Sequence, residues 1–527
     1  MDLQVNTVNT NLSAMRNSEV HPKTMGTKMK TLFVSFYNTE AYGIRQLHSK
    51  LVKEDIDAYM MFFKTTENKN RGDDYEFQIK QSFNNVVNEV TDKEFELLIS
   101  FIKEFKPRIV AFSLYSSNFH LYKKVYSKIK NIKDLTVVLG GWQPTLNPDD
   151  SILYTDYMCI GEGYRALSEL IYNLSKGLPT NKIDDIWVND NNVITKNKTS
   201  ALTQDSVNNP NALFDNKYCF VIEDNKILSK EPYFENTRYG TFISYGCPFT
   251  CTYCSNVHIV NGIYGKAWKI LRNRTTEHVI SELKLVKRKL KKVNRINFYD
   301  EIFLAKTDVL EEFSVIYKKE INLPFFVEVY PGSMREDKVK LLAEMGLGGV
   351  WMGIQSGSER IRKELYQRNT PNEKIMKQAS IFKKYNIGVR YDFIFDNPYE
   401  SFEESLESIY MMLQLPEPYS LNVYSLRYFP NCDLTTKAIN DGVIEKENLD
   451  DMLELDYAYY GPTKNTKQSV PSSARNINSQ FINRMAIYLA LQANKGLVKK
   501  NKDTVIGLIN DFKTSNNLSK IDKLLGI

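Results

Sequence analysis

The most informative stretch of this 527-residue chain is Gly246–Asn256, which reads GCPFTCTYCSN. Its three cysteines have the spacing CxxxCxxC, and an aromatic residue precedes the last of them. Cysteine thiolates hold iron–sulfur clusters, and clusters that only carry electrons usually take four of them. Three closely spaced cysteines therefore predict a [4Fe–4S] cluster with Cys247, Cys251 and Cys254 as ligands. One iron is left open to a ligand that is not protein, where a small molecule can be bound and reduced.

Zinc binding and disulfide formation are the alternative uses of these cysteines. A structural zinc site takes four ligands, usually as two separated pairs, and Cys159, Cys219 and Cys432 form no second CxxC pair. His258, four residues past Cys254, could complete a Cys3His site, which makes zinc the strongest alternative. Disulfides are disfavoured because the Asn- and Thr-rich N-terminal region has no apolar segment typical of a signal peptide.

The composition is typical of a globular protein and argues against two classes of partner. Hydrophobic residues make up 42% of the chain and charged residues 25%. The sequence has no run of about 18 apolar residues, the length that a membrane-spanning helix needs, so no membrane span is expected. The net charge is +6, and the basic run at 287–292 fits a solvated helix face, so no nucleic-acid partner is expected. We expect a cytoplasmic protein, because an exposed cluster needs reducing surroundings, and a disordered tail over residues 1–29.

Residues 30–176 alternate between short apolar strands and helices. The strand-like runs Thr31–Phe36, Ile109–Leu114 and Thr136–Gly141 are separated by helical segments, which predicts a doubly wound parallel sheet. Ligands of such sheets bind at the carboxyl ends of the strands. Glycines in the loops at those ends would let the backbone approach a flat ligand, because no Cβ stands in the way.

The chain beyond residue 176 predicts a connector, a second strand–helix region and a helical end. Residues 177–236 are rich in Asn and Asp turns and are interpreted as a connector. Residues 237–440 carry further strands, beginning with Thr241–Ser244 directly before the cysteine loop, as in a (β/α) barrel whose strand ends hold the site. Residues 441–527 show apolar side chains at helical spacing.

These motifs carry a family resemblance. The phrase GCPFTCTYCSN, together with the strand-end phrases of the first region, resembles the radical S-adenosylmethionine (SAM) superfamily, in particular the subgroup with a cobalamin-binding domain before the radical domain. The resemblance implies an N-terminal Rossmann-like domain that binds cobalamin, a partial (β/α)6 TIM-like barrel and a C-terminal helical region. It also implies that SAM chelates the open iron and is cleaved to a 5′-deoxyadenosyl radical.

The resemblance further indicates which residues bind the cofactors. The three cysteines are the catalytic residues as well as the cluster ligands. The SAM contacts are expected at Tyr253, Gln355, Ser356, Arg272 and Asp300. Arg274 is an alternative to Arg272, because either guanidinium would suit a carboxylate. The cobalamin contacts are expected in the strand-end loops, at Asn38, Gly43, Ser113, Ser116, Gly140, Gly141, Gln143, Gly161, Glu162 and Gly163.

The resemblance favours a cobalamin-dependent C-methyltransferase that uses a 5′-deoxyadenosyl radical and methylcobalamin on an unactivated carbon. The same architecture also serves rearrangements, cyclisations and oxidations, which stay open as alternatives. A cluster- or corrin-binding sensor without catalysis is the alternative from another class. The expected partners are a small-molecule or peptide substrate and a reductant such as flavodoxin or ferredoxin.

Overall fold

The structure is a computed structural model that describes residues 29–65, 90–265, 267, 271–303, 307–449 and 476–525. The predicted disordered tail, residues 1–29, lies outside the described residues except for residue 29. The described residues form two compact units: one runs to residue 236 without 201–208, and the other holds 201–208 and everything from 237 onward. Within the described ranges, no helix is long and apolar enough to cross a membrane.

The first unit is built on a nine-stranded sheet with the order β7-β6-β5-β4-β3-β1-β2-β8-β9. The strands β5, β4, β3, β1, β2 and β8 pair in parallel, and β6, β7 and β9 are antiparallel additions at the edges. The strands are β1 (Thr31–Tyr37), β2 (Ala58–Thr65), β3 (Ile109–Leu114), β4 (Thr136–Gly141), β5 (Tyr157–Cys159), β6 (Ile186–Asp190), β7 (Val193–Thr195), β8 (Cys219–Glu223) and β9 (Lys226–Ser229).

Helices connect the parallel strands of this sheet. They are α1 (Tyr42–Lys53), α2 (Asp92–Phe105), α3 (Phe119–Ile129), α4 (Trp142–Leu146), α5 (Pro148–Ser151) and α6 (Gly163–Lys176). Thr91 and Glu94 form a capping box that fixes the start of α2. In β1, Phe33 on one face of the sheet is as buried as Leu32 and Val34 on the other. The predicted doubly wound parallel sheet is confirmed.

Residues 177–236, predicted to be a connector, instead extend this sheet at both edges through β6 to β9. The Asn and Asp residues that suggested a loop form two tight hairpin turns. Asn191 and Asn192 join β6 to β7, and Asp224 and Asn225 join β8 to β9, all four with positive φ. Two-residue turns of this kind match the twist of antiparallel strands and favour Asn and Asp, so a turn-rich composition here encodes hairpins.

The second unit contains a six-stranded, fully parallel sheet with the order β10-β13-β14-β15-β16-β17. Its strands are β10 (Arg238–Thr241), β13 (Arg295–Phe298), β14 (Phe325–Val329), β15 (Leu347–Gln355), β16 (Gly388–Phe395) and β17 (Ser420–Ser425). Two further strands, β11 (Ser244–Tyr245) and β12 (Arg272–Asn273), form a separate ribbon. The expected six strands of a partial barrel are therefore present. The strand predicted at 241–244 is divided, because β10 ends at Thr241 and Ser244 begins the two-stranded ribbon of β11 and β12.

The helices of the second unit include those that follow the strands and a C-terminal group. They are α7 (Asn256–His258), α8 (Thr276–Lys289), α9 (Thr307–Glu320), α10 (Glu336–Met345), α11 (Asn372–Lys384), α12 (Phe402–Gln414), α13 (Asp433–Asn440), α14 (Ile477–Asn494), α15 (Lys502–Ser515) and α16 (Ser519–Leu525). Between the sheet and α9, Phe298 packs against Phe313 and Tyr317.

The C-terminal helices pack against the barrel. Helix α14 contacts β17 and α12, Phe481 stacks on Phe512 with ring centroids 4.0 Å apart, and Asn483 donates a hydrogen bond to Asp396 at 2.6 Å. The described part of the predicted helical region, 441–527, is helical from residue 477 onward. Residues 450–475 lie outside the described residues.

Candidate active site

The cysteine loop begins where β10 and the short ribbon of β11 and β12 end. Asp300, which follows β13, accepts hydrogen bonds from Ile243 N at 3.0 Å, Ser244 N at 2.5 Å and Ser244 Oγ at 2.6 Å. Burial raises the pKa of Asp300 to about 6. The sequence predicted a SAM contact at Asp300, but the structure uses its carboxylate to hold the backbone that leads into the loop.

The three cysteines lie within two turns of this loop, and their thiols form no disulfide among the described residues. Cys247 and Cys251 are buried and Cys254 is half-buried. Burial raises the pKa of Cys247 to about 12 and also raises that of Cys254. Without a cation the thiols of Cys247 and Cys254 would stay protonated, so this donor set fits a group that brings positive charge, as iron does.

The loop is fixed on the side away from the thiols by its backbone and by Thr252. Thr252 donates to Tyr366 O at 3.3 Å and, through Oγ1, to Leu365 O at 2.5 Å, and its carbonyl accepts from Leu434 N at 3.0 Å. Tyr253 packs edge-on against Tyr366 with ring centroids 4.8 Å apart. Tyr253, predicted to contact SAM, thereby helps to anchor the loop.

Arg368 is a site residue that sequence reasoning missed. Its guanidinium donates from Nη1 to Cys251 Sγ at 3.4 Å and from Nη2 to Gly353 O at 2.5 Å, and it lies 4.3 Å from the ring of Tyr330. Burial lowers the pKa of Arg368, but Tyr253, Cys251 and Tyr330 raise it by more, so the guanidinium stays charged. Arg368 comes from a polar loop, and nothing in its local sequence signals this position.

Gln355, one of the predicted SAM contacts, lies near Arg368 across Gly353. It ends β15 at a bulge with φ of 76°. Its amide folds back over Gly353, where an added Cβ would stand 2.3 Å from Gln355 Nε2 and 3.8 Å from Arg368 Nη2. The absence of a side chain at Gly353 therefore makes room for the Gln355 amide near the cysteine loop.

Ser356 is committed to internal hydrogen bonds and does not join Gln355. It is fully buried, its Oγ donates to Glu400 Oε1 at 2.7 Å, and the same Oγ accepts from Ser358 N at 3.1 Å. The adjacent Gly357 touches the backbone of α12 so closely that an added Cβ would lie 2.5 Å from Glu407 O. Ser356 therefore has a structural role, and its contact with SAM stays a prediction.

The two arginines near β12 are both buried. Arg272 pairs with Tyr245 across the ribbon, beside the start of the cysteine loop. Arg274 donates to Thr241 Oγ1 at 3.0 Å and to Phe242 O at 2.8 Å, and it forms a buried ion pair with Glu282. These bonds commit Arg274 to the packing of α8 against β10, so it is no substitute for Arg272.

His258, the fourth ligand of the zinc alternative, packs over Gly262 and hydrogen-bonds the backbone of Asn431. In the described part of the chain, no three His, Cys, Asp or Glu side chains are placed to hold a single metal ion. A [4Fe–4S] cluster asks for a wider arrangement, because each thiolate binds a different iron. Glu301 contacts the end of the cysteine loop, because its carboxylate accepts a hydrogen bond from Asn256 Nδ2 at 2.7 Å.

A second candidate site lies at the strand ends of the first unit. The order β2-β1-β3-β4-β5 reverses direction between β1 and β3, and doubly wound sheets bind ligands at such a switch point. After β1, Asn38 Oδ1 accepts from Ala41 N at 2.8 Å and shapes the loop. Gly43, in the first turn of α1, is exposed and has open space around it.

The loop after β3 presents polar groups without partners. Ser113 is half-buried at the end of β3, and Ser116 follows in a short turn. Ser116 Oγ and Asn118 Oδ1 are buried and have no hydrogen-bond partner among the described residues. Buried polar atoms usually have partners, so these two fit a ligand that brings amide or hydroxyl groups, as the side chains of a corrin do.

The glycines at the end of β4 and after β5 are explained by their local surroundings. Gly141 has φ of 95° and stands so close to Leu114 that an added Cβ would lie 2.7 Å from its nitrogen. Gly161, with φ of 74°, donates its N–H to Thr145 Oγ1 at 3.0 Å. Gly163 begins α6 beside Cys159. Half-buried Gly140 and Glu162 complete this strand-end group.

Gln143 is one of the predicted cobalamin contacts. It lies in α4, only 1% of its surface is exposed, and its Nε2 donates to Ser151 Oγ at 3.3 Å. This bond ties α4 to α5. The chain turns into a helix at Trp142, so Gln143 lies in this helix and not in an open loop, and its contact with cobalamin stays a prediction.

Two family models match the chain. The Radical SAM superfamily model covers residues 241–409, and the B12 binding domain model covers residues 78–171. The first range contains the cysteine loop and most of the parallel barrel. The second contains β3 to β5 with their strand-end loops.

Curated proteins with similar sequences include enzymes named as methyltransferases. An uncharacterized methyltransferase of Pyrococcus horikoshii is 26% identical over 322 residues, which is 59% of this chain and 65% of that protein. The bacteriochlorophyllide d C-8(2)-methyltransferase of Chlorobaculum tepidum is 21% identical over 280 residues, 51% of this chain and 55% of that protein. The chain thus matches less than two thirds of the length of these relatives.

Solved structures share the fold. The radical SAM methyltransferase TsrM from Kitasatospora setae, with cobalamin and a [4Fe–4S] cluster bound, superposes with a TM-score of 0.58 at 16% identity, covering 78% of this chain and 75% of that one. The cobalamin-dependent radical SAM enzyme OxsB, with aqua-cobalamin and SAM bound, gives a TM-score of 0.55 at 16% identity, covering 80% of this chain and 56% of that one.

Proposed function

We propose that this chain is a cobalamin-binding radical SAM enzyme, and that it is a methyltransferase that transfers a methyl group to an unactivated carbon. The observation that carries the proposal is the cysteine loop. Two buried cysteines and one half-buried cysteine share one loop at the carboxyl ends of a parallel barrel, and the guanidinium of Arg368 lies 3.4 Å from Cys251 Sγ.

Cys247, Cys251 and Cys254 would hold a [4Fe–4S] cluster and leave one iron open. When bound, the cluster supplies the electron that cleaves SAM. The protein fixes the ligands in advance, because Asp300 holds the backbone before the loop and Thr252 holds its middle. Such fixed ligands and outer hydrogen bonds tune the potential of a cluster.

Gln355 and Arg368 are the residues that we assign to SAM. The Gln355 amide lies over Gly353 and can exchange hydrogen bonds with hydroxyl or amino groups. Arg368 carries a buried positive charge whose described neighbours are the Cys251 thiol, a backbone carbonyl and aromatic rings. A carboxylate is the partner that suits a guanidinium best.

In the first unit, Ser116 and Asn118 would hold cobalamin together with the glycine loops after β4 and β5. When bound, cobalamin supplies a methyl carrier. The protein contributes hydrogen-bond acceptors and donors that have no other described partner, and backbone that is free of side chains at Gly141 and Gly161. A small-molecule or peptide substrate, a flavodoxin- or ferredoxin-type reductant and a cytoplasmic location belong to the same proposal.

The test is turnover by purified, cluster-reconstituted protein under anaerobic conditions, with SAM, a strong reductant and candidate acceptors. A methyltransferase gives S-adenosylhomocysteine, and isotope from methyl-labelled SAM appears in the acceptor only when cobalamin is present. Mass spectrometry follows both products.

Two other outcomes would contradict the proposal. Formation of 5′-deoxyadenosine without S-adenosylhomocysteine for any acceptor would indicate a rearrangement, cyclisation or oxidation. Failure to cleave SAM with cluster and SAM both bound would indicate a sensor.

A further inference from the structure

The inner face of the six-stranded sheet carries polar and aromatic side chains in layers. On the outer face, Val327, Val350 and Met352 are almost completely buried under helices. Register places Glu328 beside Trp351 and Trp351 beside Arg390, all half-buried on the inner face. Inward side chains of parallel barrels stack in such layers, and here the middle layer is open enough to meet a ligand.

The floor beneath this layer is closed. Phe326 lies across Gly349, where an added Cβ would stand 2.4 Å from its ring. Arg295 lies 4.7 Å from the Phe326 ring. Any ligand of the middle layer must therefore enter from the carboxyl ends of the strands, which is the side of the cysteine loop.

Glu328 is the unusual member of the middle layer. Its carboxylate forms no hydrogen bond or ion pair with any described residue. The charged groups that face it are Asp392 and Arg390 on β16, and Glu301 and Asp300 after β13. Arg390 is already committed, because its Nε lies 3.5 Å from Asp392 Oδ1 and its guanidinium lies over Trp351.

A second unused acceptor lies one layer below. Asn297 is 1% exposed, and its Nδ2 donates to the Tyr299 hydroxyl at 3.1 Å. Its Oδ1 has no hydrogen-bond partner among the described residues. A buried amide oxygen without a partner is costly, but register pairs Asn297 with Phe326 in the closed floor, so Glu328 is the acceptor that a ligand of the middle layer meets.

Aromatic rings complete the middle layer. Tyr299 and Trp351 are both half-buried, and their planes are 16° from parallel with centroids 5.9 Å apart. Partly exposed rings of this kind offer a flat surface and attract cations through their faces.

We propose that the inner face binds the substrate through a planar group carrying a protonated nitrogen, with Glu328 as the counter-ion and Trp351 and Tyr299 as the flat contact. The inference rests on the proposed function only because it assumes that the substrate binds at this inner face. It names the substrate class that the proposed function leaves open.

The charged groups around Glu328 favour a cationic ligand. Burial raises the pKa of Glu328 to about 8, and Asp392 and Glu301 add to the effect more than Arg390 reduces it. A bound cation favours the ionised carboxylate, so binding should release a proton. Affinity for a cation should therefore rise with pH up to about the pKa of 8.

The test compares three probes of similar shape: 2-phenylethylamine, 2-phenylethanol and 3-phenylpropionate. Calorimetry at neutral and mildly alkaline pH measures their binding to the full, cluster-reconstituted chain. We expect the amine to bind at least about tenfold more tightly than the other two, as a partly desolvated charged hydrogen bond implies. Glu328→Gln should remove this preference and its pH dependence while leaving the binding of 2-phenylethanol unchanged.

Glu344→Gln, on the exposed surface of α10, is the matched control and should behave as the unmodified chain. Glu328→Ala is the second variant in case the amide disturbs the fold, and circular dichroism checks both. The proposal is overturned if the amine does not bind, if the carboxylate binds as well, or if Glu328→Gln keeps the preference. Absence of methyl transfer together with intact amine selectivity would refute the proposed function alone.

Discussion

The two parallel sheets of this chain differ in what covers their faces. In the first sheet, β1 is buried along almost its whole length on both faces, and its sequence TLFVSFY is nearly all apolar. In the second, β16 alternates between buried and half-buried residues, and its sequence GVRYDFIF alternates apolar with polar. A sheet covered on both faces can meet a ligand only at its strand ends, whereas a half-open sheet can also use its face.

The predicted sites follow this difference. In the first unit the candidate contacts lie at the carboxyl ends of the strands and in the segments that follow them, and the interior is occupied by side chains that hold the fold. In the second unit the loops supply the cluster ligands, while the inner face supplies Glu328 and Trp351. The five predictions below test this division, from the largest expected effect to the smallest.

Replacement of one loop cysteine should have the largest effect. Cys251→Ala removes one of three cluster ligands, so we expect loss of bound iron and of SAM cleavage to below detection. Iron and sulfide analysis with visible spectroscopy measures the first, and product analysis the second. Cys432→Ala, which removes a fully buried thiol of the same unit, should keep both. Full iron content in the Cys251 variant would rule out the assignment.

A buried charge inside the first unit should matter for stability. Arg45 and Glu231 form an ion pair at 2.7 Å with side chains 1% and 0% exposed. Arg45→Met leaves the buried Glu231 carboxylate without its cation, with hydrogen bonds only from neutral groups such as Tyr233 N, which typically costs about 3–5 kcal/mol of unfolding free energy. Urea denaturation compares it with Arg108→Met at the exposed pair with Asp134, expected to cost under about 1 kcal/mol. Similar losses in both variants would contradict the role assigned to the buried pair.

Arg368 should affect SAM binding more than the cluster. Arg368→Met removes a charged hydrogen-bond donor, so we expect SAM affinity to fall about 10- to 100-fold with iron content retained. Equilibrium binding of SAM and iron analysis measure the two. Arg360→Met, at an exposed ion pair with Glu404, is the control. Unchanged affinity would exclude Arg368 from the SAM site.

The pH dependence of stability should report on the open inner face. The pKa of Glu328 is raised from 4.5 to about 8, chiefly by burial, so the folded state holds its proton more tightly than the unfolded state. Its contribution to stability is complete below pH 4.5 and is lost as pH rises through about 8. Glu328→Gln should therefore gain stability relative to the unmodified chain over that window, by less than about 2 kcal/mol because water screens a half-buried group. Thermal unfolding at several pH values, beside Glu344→Gln, checks the slope, and parallel curves would contradict it.

The smallest effect is expected at the strand ends of the first unit. Ser116→Ala removes a hydroxyl without a described partner, so stability should change by less than about 0.5 kcal/mol. Cobalamin affinity should fall by about three- to tenfold, the value of one hydrogen bond. Ser127→Ala, whose hydroxyl bonds its own helix, should leave affinity unchanged. A stability loss without an affinity change would make Ser116 a structural residue.

The sequence predicted the parts of the fold that depend on local pattern. Continuous apolar runs identified β1, β3 and β4, and the cysteine spacing identified the cluster loop. It did not identify the hairpins of 177–236, because short strands with Asn and Asp turns resemble loops, and it did not identify β2, although this strand is 8 residues long. It named Ser356 and Gln143 as expected contacts, but it gave no sign of their internal hydrogen bonds.

By itself, therefore, the sequence determined the chemistry of the loop, since three thiols at fixed spacing can reach one cluster wherever the loop lies. It also determined two regions of alternating strands and helices, because buried positions recur along the sequence at the spacing of a strand or a helix. Only the tertiary structure decided that Arg368 meets Cys251, 117 residues away, and that Glu328 and Asn297 have unused acceptors. Such contacts arise from strand register and loop packing, which leave no local signal in the chain.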